Sequence, residues 1–171
     1  KFWQEGGEEL QKTIESLPDS VVFMRWNYTT GKQSGNIKAL EWYQENDLDV
    51  MIATAAQSGP AALFPFDVRN GSIDARGIPA IKSFIELAAG KDIDGMLCTA
   101  WDDRSPHFET LFRGYIASAQ YSWSPGSLSL DEYDKAYMQK EYGITFPDYG
   151  DIYLWLRKAT DFWAGAFNRQ S

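Results

Sequence analysis

Asp49-Val50-Met51-Ile52-Ala53-Thr54 is short, apolar at its centre and without polar alternation. That is the pattern of a strand buried on both faces of a parallel sheet. Working upstream, Ile37, Leu40 and Tyr43 recur at three-residue spacing and predict a short helix ending near Asn46. Before it stands a second β-rich run, Val21-Val22-Phe23-Met24. That run follows a helical pattern over residues 8–17 (Leu10, Ile14, Leu17) which Pro18 ends. Downstream, Ile78, Ile81, Phe84, Ile85 and Ala88 predict an amphipathic helix closed by Gly90, and Met96 to Trp101 a third strand. Ser105-Pro106 is a strong helix start. The helix it opens places Phe108, Leu111, Phe112, Tyr115, Ile116 and Ala119 on the clearest periodic face in the chain. Strands at about 20–27, 48–54 and 95–101, each followed by a helix, require parallel pairing with right-handed crossovers, so the class is α/β.

One connection is unlike the others. Residues 55–72 carry the turn signals Gly59-Pro60, Pro65 and Asn70-Gly71, and so long a connection in a compact domain predicts a working loop. Ser124-Pro125-Gly126 then breaks the alternation. Ser129 to Glu132 reads as a capping box opening a helix to about Tyr142. A second tail helix from about Asp151 puts Ile152, Leu156, Ala159, Trp163 and Ala166 on one face. Residues 1–125 thus hold the strand–helix units, and residues 126–171 form a helical tail expected to pack on them. Three parallel strands are too few to close a barrel. Their edges call for an upstream partner of similar units or a second copy of the chain.

Composition narrows the partners. With 44% hydrophobic and 15% aromatic residues in 171, most of the chain should pack. A formal charge of -8 and no run of lysine or arginine disfavour nucleic acid and anionic membrane surfaces. No apolar stretch reaches the roughly 20 residues of a spanning helix. The start at Lys1, without methionine, predicts an internal fragment or a processed or trimmed chain. Cys98, the single cysteine, lies in an apolar run and reads as a buried, inert thiol. The single histidine, His107, falls in the first turn of its helix, where a surface or supporting role is favoured over that of a general base. With no other histidine or thiol cluster and no glycine-rich loop after a strand, neither a metal nor a phosphate-bearing cofactor is expected.

Parallel α/β folds place ligands at the carboxyl ends of their strands. The residues there are Arg25-Trp26-Asn27-Tyr28, Thr54-Ala55-Ala56-Gln57 and Thr99-Ala100-Trp101-Asp102-Asp103. Two of these three ends pair a tryptophan with polar groups. Sugars suit such surroundings, since their axial C–H faces stack on aromatic rings while their hydroxyls take amides and carboxylates. Trp101 and Trp26 are each candidates for stacking, with packing at the rim as the alternative. Asp102 and Asp103 point opposite ways in an extended segment, so one faces the pocket, unless one caps the following helix and the other is solvated.

The segment Gly95-Met96-Leu97-Cys98-Thr99-Ala100-Trp101-Asp102-Asp103, followed by a helix containing Arg113 and ending Ala119-Gln120-Tyr121-Ser122-Trp123-Ser124, resembles the last strand and helix of family 20 glycoside hydrolases, the β-N-acetylhexosaminidases. The detailed likeness covers about residues 94–124; the earlier units fit by order and spacing. The resemblance implies a (β/α)8 TIM barrel of which these are strands six to eight, with Trp101 in the wall around the sugar. It sets Asp103 where the family's glutamate binds sugar hydroxyls, and it allows Trp26 a place in the aromatic wall. Departures are Asp103 for glutamate, Asp102 for glycine and Gln120 where glutamate is common. The family's catalytic aspartate–glutamate pair at the end of strand four has no counterpart here. The only Asp-Glu dipeptide, Asp131-Glu132, opens a tail helix, where both serve capping.

The expectation is therefore part of a glycosidase acting on N-acetylhexosamine-containing glycans. The chain would supply sugar-subsite residues (Trp101, Asp103, Asp102, Trp26, Asn27) with no catalytic residue of its own, and would be inactive alone. The alternative is a non-catalytic carbohydrate-binding or self-assembling module. A third reading makes Asp102 or Asp103 the acid of another barrel hydrolase. A glycan substrate would fit a secreted or periplasmic parent, but the sequence leaves the compartment open.

Overall fold

The computed structural model describes residues 7–56, 77–91, 93, 95–100 and 109–145, together with residues 152, 155, 158, 159 and 162. Its elements run α1 (Gly7–Glu15), β1 (Phe23–Trp26), α2 (Ser34–Glu45), β2 (Val50–Ala55), α3 (Ile78–Ala89), β3 (Gly95–Thr99), α4 (Glu109–Trp123) and α5 (Leu130–Tyr142). The three strands form one parallel sheet in the order β1-β2-β3. The α/β reading therefore stands, with each strand joined to the next through a helix.

Register explains the layers. Trp26 pairs with Ala53 and Ala53 with Leu97, while Arg25 pairs with Ile52 and Ile52 with Met96. Side chains alternate along a strand, so Phe23, Arg25, Val50, Ile52, Met96 and Cys98 share one face, and Met24, Trp26, Met51, Ala53 and Leu97 the other. The first face meets the helices. Phe23 packs its ring 5.7 Å from that of Tyr43 in α2, and Arg25 binds Asn36 in the same helix. Val50 and Ile52 join Ile81, Phe84 and Ile85 of α3 in the core. Ser118 of α4 donates to Cys98 at 3.0 Å. The described contacts of α2, α3 and α4 with the sheet all fall on this side. On the other face Met24, Trp26 and Leu97 are exposed, although the central Ala53 is fully buried.

The central strand has the burial its sequence predicts, with Val50, Ile52, Ala53 and Ala55 all at or below 2% exposure. In α3 every residue of the expected stripe, Ile78, Ile81, Phe84, Ile85 and Ala88, is buried, and Gly90 is the C-cap. The helix over 109–123 is present, but its core-facing side differs from the periodic face in the sequence. Leu111, Gly114, Ala117, Ser118 and Tyr121 are buried, whereas Phe112, Ile116 and Ala119 are exposed. Close approach decides this: a Cβ on Gly114 would lie 2.6 Å from the carbonyl oxygen of Ala56, so small residues let the helix sit directly on the end of β2.

Ser129 and Glu132 form the expected capping box at the start of α5. Ser129 Oγ accepts from the Glu132 N–H at 3.2 Å, and the Glu132 carboxylate accepts from the Ser129 N–H at 2.8 Å. Helix α5 runs back along α4: Tyr121 donates to the Ser129 carbonyl, and Tyr133 to that of Arg113 at 2.5 Å. The buried Arg113 and Asp134 form an ion pair between the same two helices. Gly143, with φ 67°, ends α5 in the left-handed conformation. Further on, Ile152, Trp155, Lys158, Ala159 and Phe162 are helical.

Candidate functional site

Because all three strands are parallel, their carboxyl ends meet on one rim. Three hydrogen bonds prolong the pairing there. Asn27 N–H donates to the Ala53 carbonyl (3.2 Å), Ala56 N–H to that of Thr99 (2.8 Å), and the Thr99 hydroxyl to that of Thr54 (2.8 Å). The rim residues are thereby fixed relative to one another.

At the end of β1, Trp26 projects on the face opposite the described helices and is 52% exposed. Its indole N–H donates to the Tyr28 hydroxyl, and the two rings stand edge to face at 6.4 Å. That bond orients the indole plane. Asn27 follows with its side chain half-buried. Its Oδ1 accepts from both the N–H (2.8 Å) and the hydroxyl (2.7 Å) of Thr29, a local turn that occupies the amide oxygen. The Asn27 amide nitrogen makes no hydrogen bond among the described residues, so the group offers a donor to a ligand.

Behind this turn lies a network that the sequence reading did not anticipate. The fully buried Asn36 accepts from Arg25 Nε (3.1 Å) and Nη2 (3.0 Å) and donates to the Thr30 carbonyl (3.0 Å) and the Thr29 hydroxyl (3.3 Å). Burial lowers the pKa of Arg25, opposed by the nearby Tyr43 hydroxyl, and burial raises that of Tyr43. The guanidinium faces the helix layer and anchors the β1–α2 loop; it does not reach the rim. An arginine inside an apolar strand was the available signal, because a partly buried charge demands a built set of acceptors.

At the far side, Cys98 is half-buried between β3 and α4. Burial pushes its thiol pKa up against the opposing pull of hydrogen bonds from Ser118 and Thr54. A raised pKa keeps the sulfur protonated at neutral pH, which agrees with an inert thiol.

Of the five expected site residues, the structure places Trp26 and Asn27, side by side at the end of β1. Trp101, Asp102 and Asp103 lie outside the described residues, as do His107, Phe108, the Ser105-Pro106 helix start and residues 57–72 of the expected working loop. Among the described rim residues there is no carboxylate, and no group of three or more His, Cys, Asp or Glu is arranged to hold a metal ion. No described helix is long and apolar enough to cross a membrane. What the described rim can do is bind: an oriented aromatic plane, a neutral amide donor and a rigid backbone.

No family model matches the chain, and comparisons with curated proteins and with solved structures give no match.

Proposed function

We propose that the chain is part of a glycoside hydrolase of the (β/α)8 type acting on N-acetylhexosamine-containing glycans, in which it supplies walls of the sugar subsite. One observation carries the reading: Trp26, half-exposed and held by Tyr28, sits beside the Asn27 amide at the carboxyl end of a parallel strand, on the face opposite the described helices. An aromatic plane next to a hydrogen-bond donor is the combination a pyranose ring needs. The layering supports the barrel reading. In a doubly wound sheet helices cover both faces, whereas a barrel keeps its helices outside and its other face inside. On this reading Trp26, Met24 and Leu97 point into the barrel, Trp101 and Asp103 complete the subsite, and the proton-donating pair comes from strands other than these three.

A second reading, a non-catalytic carbohydrate-binding or self-assembling module, is favoured by the edges of β1 and β3, which pair with no further strand among the described residues.

The test is a titration of the chain with N-acetylglucosamine oligosaccharides, followed through its seven indole N–H signals by nuclear magnetic resonance, with a chromogenic N-acetylglucosaminide assay in parallel. The expected outcome is that the signal lost in Trp26→Phe shifts on binding, Trp26→Ala weakens affinity about tenfold or more, and no hydrolysis occurs. Cleavage that disappears in Asp103→Ala would instead make that carboxylate an acid. Indole signals that stay still at saturating sugar would remove the carbohydrate reading.

A further inference from the structure

Asn27 offers the rim one kind of side-chain group, and the network behind it decides which. Its Oδ1 accepts from the Thr29 N–H at 2.8 Å. A backbone N–H can only donate, so the amide stands with its oxygen toward the turn and its nitrogen away from it. Turning the amide over would set donor against donor. The nitrogen makes no hydrogen bond among the described residues and, on a half-buried side chain, is open to solvent. The backbone beneath is fixed as well, through the Asn27 N–H on the Ala53 carbonyl.

This orientation is inherited from a cation. Arg25 carries only donors, and its Nε and Nη2 reach Asn36 Oδ1 at 3.1 and 3.0 Å. Asn36 Nδ2 therefore points away from Arg25, to the Thr30 carbonyl (3.0 Å) and the Thr29 hydroxyl (3.3 Å). Having accepted there, the Thr29 hydroxyl has its own proton to give. Asn27 Oδ1 lies 2.7 Å from it, and Gln33 Oε1 is its other contact. The bonds run in one direction, from Arg25 through Asn36 and Thr29 to Asn27, and end on an N–H that faces solvent. The acceptors of Arg25, Asn36 Oδ1 and the Gly35 carbonyl (3.3 Å), are neutral and leave its charge uncancelled. A hydrogen-bond chain headed by a cation polarises each donor after it and strengthens the last one toward an acceptor. The loop that carries the chain is itself pinned. Thr30 meets Ser83 of α3, hydroxyl to hydroxyl at 2.8 Å, and a Cβ on Gly31 would collide with the Ser83 carbonyl.

We propose that Asn27 sets the specificity of the rim by donating to the carbonyl oxygen of a sugar's acetamido group while the ring lies on Trp26, with Thr29, Asn36 and Arg25 as the positioning residues that hold it as a donor. The inference rests on the carbohydrate reading above and adds what that site selects. A carbonyl oxygen accepts better than a hydroxyl, and a protonated amine does not accept at all.

Tetrasaccharides of N-acetylglucosamine, glucose and glucosamine in the same linkage differ only in the group at C2 and separate these cases. Each is titrated into the chain in mildly acid buffer, where the glucosamine amines are charged. Two nuclear magnetic resonance signals are followed, the indole N–H lost in Trp26→Phe and the side-chain amide lost in Asn27→Asp. The N-acetylated sugar should bind about tenfold or more tightly than the glucosamine one, with the glucose one between, and should shift the Asn27 amide as well as the indole. Asn27→Asp keeps an oxygen for Thr29 and puts a second oxygen where the N–H stood, so the preference should vanish or reverse. Thr29→Val should lower the preference about threefold or more, and Thr29→Ser, which retains the hydroxyl, should preserve it. If the indole responds but the three sugars bind alike, the amide stays still or Asn27→Asp leaves the order unchanged, the inference is overturned and the carbohydrate reading stands. If the indole stays still with all three at saturation, both fall. The amide signal is read in the unsubstituted chain, so it decides even where a variant fails to fold.

Discussion

Ser129 shows how much one residue can contribute at a helix end. Its hydroxyl and N–H both meet Glu132, satisfying two backbone donors that a helix start otherwise leaves to water. Ser129→Ala should cost about 1 kcal/mol in urea unfolding. The same contacts, first the Ser129 N–H and then its hydroxyl, hold the Glu132 carboxyl below its ordinary range. A depressed folded-state pKa stabilises above the unfolded value and ceases to do so as pH falls through the folded one. The stability gap between the wild-type chain and Glu132→Gln should therefore be present at neutral pH and close in acid, read from unfolding curves at both. Cys98 has the opposite sign. Its raised pKa means the folded state holds the proton more tightly, so its contribution is present below the ordinary thiol range and is lost as pH rises through the folded value. Iodoacetamide at pH 8 should alkylate it about tenfold or more slowly than a free thiol, and an ordinary rate would show the thiolate to be accessible.

At the scale of elements, the choice of face on α4 is a competition between apolar area and distance. Phe112 and Ile116 offer more surface than Gly114 and Ala117, yet only the small residues admit the backbone of Ala56. Gly114→Ala tests which effect wins. In an exposed helix that change gains up to about 1 kcal/mol. Here the new methyl group would meet Ala56 backbone atoms at 2.6 and 2.7 Å, and overpacking costs about 1–3 kcal/mol. Net destabilisation is expected in thermal unfolding; a gain would mean that α4 can slide away from β2. The ion pair between Arg113 and Asp134 fixes the next step outward. Its burial means that loss of one partner strands the other, so α5 is tied to α4 in one register.

For the whole molecule, the layering has a consequence that a surface substitution reads. Leu97 is 47% exposed on the face opposite the described helices and pairs in register with the buried Ala53. In the chain alone, Leu97→Asp should alter stability by no more than about 0.5 kcal/mol, as at an ordinary surface position. In any assembly that closes over this face the same change buries an unpaired charge, and the assembly should be lost. Thermal unfolding and sedimentation of the variant separate the two effects. Loss of the monomer's own fold would show that Leu97 is already part of its core.

Much of this architecture was legible in the sequence because it depends on local chemistry. The unbroken apolar run at Val50–Ala53, the stripe from Ile78 to Ala88 and the Ser129–Glu132 box each announce their element through period, propensity or capping. They place a helix between successive strands, and with it the parallel sheet and the shared rim where Trp26 and Asn27 stand. Tertiary structure alone decided which side of α4 is used. Burial depends on how closely two backbones can approach, and Gly114 against Ala56 outweighed the richer stripe of Phe112 and Ile116. The same holds for the polar contacts: Arg25 finds Asn36 and Arg113 finds Asp134 across separations that no local pattern records, because a buried charge takes whichever acceptor the packed elements bring within reach.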